Sequence, residues 1–197
     1  MFESDSAERL HQLPSMSRSN SQKCRLLALG LVADLANAFA QTRAPSGIEA
    51  VDGDLGEAGD YWNVRSFFAG RHWTQIEPLD LLRRYPGGAS SSVVFLGQTG
   101  FIHYLPLFMK CALRHKENDP LVHSLVSRLT PPANYGMLHW HDDFGSLSAD
   151  QRDVVARFLD FLVKCRGEYF VPQDEGGELL PPSQALQGFW AQFIRQS

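Results

Sequence analysis

The sequence predicts a mainly α fold: a single-domain bundle of five to six helices with at most a few short strands. Apolar residues recur at helical spacing in four separate segments, 101–112, 121–129, 155–165 and 186–194. Clusters of Pro and Gly divide the chain between such segments, at 44–47, 85–88, 131–132 and 181–182. The 197 residues are 44% hydrophobic and include 13 Phe, 5 Tyr and 4 Trp, enough bulky side chains for a sizeable core. Residues 1–20 are polar and serine-rich, read as a mobile arm, and 21–197 as the helical domain.

The first helix is expected from about Gln22 to Thr42, stopped by Ala44-Pro45-Ser46-Gly47. Gly30, Asp34, Asn37 and Gln41 form one narrow strip on it while the rest is apolar, the pattern of a helix buried inside a domain. Lys23 and Arg25 precede its apolar run, but Asp34 interrupts the run, and it falls short of the roughly 20 residues a membrane span needs. It therefore reads as a core helix and not a signal peptide.

Residues 47–60 are irregular and glycine-rich, and an aromatic stretch follows with Tyr61, Trp62, Phe67, Phe68 and Trp73. Glu77-Pro78 opens a short helix that ends at Tyr85. Val93 to Leu96 fits either a strand or an apolar approach to the next helix. That helix carries Phe101, Tyr104, Leu105, Phe108, Met109 and Ala112 on one stripe. Pro106 inside the pattern predicts a kink, or a helix start just before it. Asp119-Pro120 opens a helix burying Leu121, Val122, Leu125, Val126 and Leu129. Ser148-x-x-Gln151 reads as a capping box for a helix burying Val155, Phe158, Leu159, Leu162 and Cys165. Asp153, Arg157, Asp160 and Lys164 form its outer strip. A last helix bears Leu186, Phe189, Trp190, Phe193 and Ile194.

Charge and cysteines bound the function. There are 18 Lys and Arg against 22 Asp and Glu, a net charge of −4, so the basic footprint of a nucleic-acid coat is missing. Cys24, Cys111 and Cys165 are odd in number and widely spaced, which argues against a disulfide framework or a cysteine zinc site and for a reducing cytoplasm. All three are expected as buried small hydrophobes.

Three stretches resemble a family of small, uncharacterised bacterial helical proteins: Leu35-Ala36-Asn37-Ala38-Phe39 with the following Ala44 to Tyr61, Trp73-Thr74-Gln75-Ile76-Glu77-Pro78, and Phe95-Leu96 with Gly100 to Met109. Leu147 to Gln151 and Val155 to Leu162 join them. The resemblance covers roughly residues 26 to 165 and leaves out the arm and the last helix; Gly-Phe-x-x-Tyr-Leu-Pro-x-Phe-Met is its most specific run. It implies a helical fold and offers no established catalytic residues to carry over. The chain also looks similar to immunity proteins of nuclease toxins delivered by type VI secretion. That likeness implies a cytoplasmic partner protein of a toxin with a basic nuclease surface, with no cofactor, membrane or direct nucleic-acid contact.

Two acidic runs, 49–60 and 168–178, hold nine of the 22 acidic residues and no Lys or Arg. Such runs are ordinarily solvated loops, but beside aromatic residues they also suit docking on a basic protein surface. The first supplies the candidate binding residues Glu49, Asp52, Asp54, Glu57, Asp60, Tyr61 and Trp62. The alternative from another class is a small metal-dependent hydrolase built on His139, His141 and Asp142, with Asp143 beside them. Its spacing fits no i, i+4 pair, and no companion ligand can be named, so no metal is expected. A third reading is an adaptor with no toxin. His103, His115 and His123 are expected on solvated helix faces.

Overall fold

The computed structural model describes residues 18–44, 60–85, 88–115, 119–131, 144–166 and 181–195. The described residues form eight α-helices and no strand. In chain order they are α1 (Arg18–Ala38), α2 (Asp60–Phe68), α3 (Pro78–Arg84), α4 (Ala89–Phe95), α5 (Gln98–Arg114), α6 (Asp119–Leu129), α7 (Ala149–Arg166) and α8 (Pro182–Gly188). Short 3-10 turns follow at Trp73–Gln75 and Trp190–Phe193. The helix count exceeds the expected five or six because two short segments fold as helices. Val93 to Phe95 belongs to α4 rather than to a strand, and the aromatic stretch after Asp60 begins as α2. The expected last helix divides into α8 and the 3-10 turn. Helix α1 begins and ends one turn earlier than its apolar run suggests.

The centre of the molecule is α5. From Gly100 to Leu113 every residue is buried except Ile102 and Lys110. α1, α3 and α6 all pack on it. Pro106 lies within the buried part of an unbroken helix, so it marks no helix start. The missing donor at Pro106 is tolerated where packing on all sides holds the backbone in place. Around this centre α4 packs on α6 and α2, and α7 packs on α1 and α8. The Ser148 capping box forms as the sequence predicts: the Ser148 N–H donates to Gln151 Oε1 at 2.8 Å, and the Gln151 N–H donates to Ser148 Oγ at 3.2 Å.

Three aromatic side chains close helix ends. The last carbonyls of a helix have no partner inside it. Trp73 Nε1 donates to Phe39 O just beyond α1 at 3.2 Å, Tyr104 Oη to Phe68 O of α2 at 2.7 Å, and Trp190 Nε1 to Leu129 O of α6 at 2.8 Å. Each ring is buried, so one residue fills core volume and satisfies a buried polar atom at once. The Gly-Phe-x-x-Tyr-Leu-Pro-x-Phe-Met run is therefore core and cap, with Phe101, Tyr104, Pro106, Phe108 and Met109 all buried.

The cysteine expectation needs correction. Cys24 of α1 and Cys165 of α7 are joined in a disulfide, and Cys111 alone is free and buried. The sequence offered no local pair because the partners are 141 residues apart and meet only through the packing of α1 on α7. The same helix pair is tied by Arg157, whose Nη1 donates to Asp34 Oδ2 at 2.7 Å and whose Nε donates to Asp153 Oδ2 at 2.9 Å. Asp153 is not on a solvated strip as expected: it is 8% exposed and also accepts from the Arg195 N–H at 2.9 Å, anchoring the segment after α8.

Candidate functional site: an apolar outer helix

Helix α1 is not the buried helix its composition suggests. Its Leu- and Ala-rich sequence favours helix throughout. Only Cys24, Leu31 and Leu35 of this helix are buried, with Phe39 just past its end. Leu26 is 63% exposed, Leu27 43% and Leu29 59%. The apolar wrap spans more surface than α5 and α7 cover, and the centre belongs to α5 instead. Three large aliphatic side chains on one turn of an outer helix exceed the scattered single exposures usual on a protein surface. A groove of about 400 Å³ runs beside Leu26 and Leu27, between Lys23 and Gly30 on α1 and Asp160 and Lys164 on α7, while Leu29 faces the other flank of the helix.

Of the residues expected to bind a partner, Glu49, Asp52, Asp54 and Glu57 lie outside the described residues. Asp60 and Tyr61 form the first turn of α2. Trp62, next in that turn, is 48% exposed, while Val64 and Phe68 bury the opposite face. A tryptophan left half in solvent is unusual for so large an apolar ring. The Leu26-Leu27-Leu29 cluster was not legible beforehand, because an all-round apolar helix looks the same on a sequence whether it lies at the centre or at the surface.

The histidines separate into two settings. His103 is 3% exposed, not on a solvated face as expected, because α5 is covered on that side by the turn at Trp73. Its Nε2 accepts from the Trp73 N–H at 3.2 Å, which leaves the proton on Nδ1. Burial, reinforced by His72, lowers its pKa from 6.5 to about 4, against the pull of the Arg43 and Arg71 carbonyls. His72 packs edge-on against it with ring centres 5.0 Å apart, and its Nε2 bonds Thr42 O at 2.8 Å. This pair joins the end of α1 to α5 and holds no reacting atom in the open. Burial also raises the Tyr104 phenol well above its ordinary value, against the pull of Arg71, and pushes the Cys111 thiol up to about 12 despite Lys110 and Arg114. Neither is an available nucleophile or base. Among the described residues no cluster of three His, Cys, Asp or Glu is placed to hold a metal ion. His139, His141, Asp142 and Asp143 lie outside the described residues.

Fold and surface together define a mainly helical protein packed around one buried helix, with an apolar outer helix. The chain belongs to the DUF6714 family, a family of unknown function whose model matches residues 55–194. The match includes α8 and the final turn, which the sequence resemblance left out, and begins after α1. No curated protein and no solved structure matches the chain. No helix among the described residues is long and apolar enough to cross a membrane.

Proposed function

We propose that the chain is an immunity protein, which binds a cognate antibacterial toxin and blocks it without chemistry of its own. The observation that carries this reading is the exposed cluster of Leu26, Leu27 and Leu29 on α1. Large aliphatic side chains left in solvent on one helix turn suit a protein interaction site, and the half-exposed Trp62 adds an aromatic anchor. Because the leucines lie before the family match, they suit recognition of a partner particular to this chain. The acidic run before Trp62 supplies the charge that would steer a basic toxin surface into contact.

Two considerations bear on the compartment. A nuclease toxin would be met in the cytoplasm, the placement the cysteine count favoured. The Cys24–Cys165 disulfide suits an oxidising compartment instead. The bond is the chain's own chemistry and weighs more: the proposed partner is a toxin with a basic surface, met in an oxidising compartment. A toxin-domain reading frame is expected beside the gene for this chain, and co-expression of the two tests the proposal. Survival of the cells and co-purification of the two proteins are expected; toxicity undiminished by the chain would overturn it.

A further inference from the structure

On the other flank of α1 lies a cleft of about 330 Å³, walled by α1 and by the last turns of α5 and α7. Its walls are apolar: Ala28, Leu29 and Val32 from α1, Leu113 from α5 and Phe161 from α7. The Cys24–Cys165 disulfide lies in the lining and fixes the distance between two of the walls. Charge at the cleft is of one sign. Arg25, Arg114 and Arg166 line it, and no Asp or Glu does so among the described residues. Arg114 and Arg166 stand at helix C-termini, where a cation complements the helix dipole. Arg25 stands inside α1, so no helix end accounts for its place beside this apolar cleft.

We propose that this cleft binds a single-chain amphiphile with an anionic oxyacid head, its tail along Val32, Leu113 and Phe161 and its head between Arg25 and Arg114. Guanidinium groups pair with carboxylate or phosphate oxygens through parallel N–H donors, which suits either head. The volume is at the small end of ligand pockets, and at about 30 Å³ per water-sized group it holds roughly a dozen heavy atoms. Decanoate meets that limit, and decyl phosphate does so with its head standing at the mouth of the cleft. The disulfide keeps the cleft open without a ligand, so binding carries little reorganisation cost. This site shares Leu29 with the exposed leucines but lies across α1 from the groove beside Leu26 and Leu27, and it does not depend on the toxin reading.

Calorimetric titration of the full, oxidised chain with decanoate, decyl phosphate and decanol tests the proposal. One or both anions should bind at a single site and raise the melting temperature, and decanol should bind about tenfold more weakly or not at all. The stronger of the two anions identifies the head group. The double variant Arg25→Glu/Arg114→Glu changes two exposed side chains, so it should stay folded, its melting temperature lowered only by the reversed charge at the end of α5, while losing about tenfold or more in affinity for the anion. Val32→Trp should block the tail site and abolish binding. Decanol binding as well as the anions, no binding by either anion, or wild-type affinity in the charge-reversed chain would overturn the assignment.

Discussion

The sulfur atoms of Cys24 and Cys165 are bonded across 141 residues of sequence, tying the outer helix α1 to α7. A cross-link closing so long a loop restricts the unfolded chain strongly, and its loss should cost about 2–5 kcal/mol. Cys24→Ser, Cys165→Ser and the double variant should melt at similar, lowered temperatures, and reductant should bring the wild type down to meet them. A wild-type melting curve indifferent to reductant contradicts the bond. Alkylation of thiols in intact cells adds the compartment: protected Cys24 and Cys165 with no label are expected.

Phe108 sits at the centre of α5, fully buried, with its ring centre 6.3 Å from those of both Phe68 and Phe101. Phe108→Ala should leave a cavity and cost about 3–5 kcal/mol. Denaturant midpoints give the value. A loss near zero would remove α5 from the centre of the core.

His103 gives stability a defined pH dependence. In the fold it protonates near 4, whereas its ordinary value is 6.5. Between those values the unfolded chain binds the extra proton, so stability rises with pH. His103 therefore contributes fully above 6.5, and the contribution is lost as pH falls toward 4. His103→Gln keeps an acceptor for the Trp73 N–H and cannot titrate, so its denaturant midpoint should vary less than the wild type over that range. An imidazole resonance for His103 titrating near its ordinary value would contradict the burial.

The acidic run 49–60 should act on rate more than on affinity. Asp52→Lys with Asp54→Lys should slow association with a basic partner and make it less sensitive to salt, leaving dissociation nearly unchanged. Stopped-flow or biosensor kinetics at low salt read this directly. Wild-type association rates would take the run out of the interface.

The fold was legible where periodicity and turn chemistry agree. The stripe of α5, the burial of Val155, Phe158 and Leu162 on α7, and the Ser148–Gln151 box all follow from spacing alone. What could not be read depends on which helix takes the centre. α1 is apolar on nearly every side and lies outside, while α5, with a recognisable stripe, is buried almost all round. The same ambiguity hid the leucine cluster and the Cys24–Cys165 pairing, since both depend on how α1 is laid against α7. His103 was misplaced for a related reason: the chain that covers it, at Trp73, lies 30 residues upstream. Of the candidate binding residues, Trp62 alone has a described side chain, and it is exposed enough to touch a partner.

The most direct test of the central claim is the equilibrium affinity of the purified chain for the proposed toxin domain, sought in the neighbouring reading frame, measured for the wild type and for Leu26→Asp/Leu29→Asp. Both leucines are more than half exposed, so the variant should keep the wild-type melting temperature. The account predicts a stable complex with the wild type and, for the variant, an affinity lower by about a hundredfold, in the range of two interface anchors lost together. No complex with the wild type, or equal affinity in the two proteins, would contradict it.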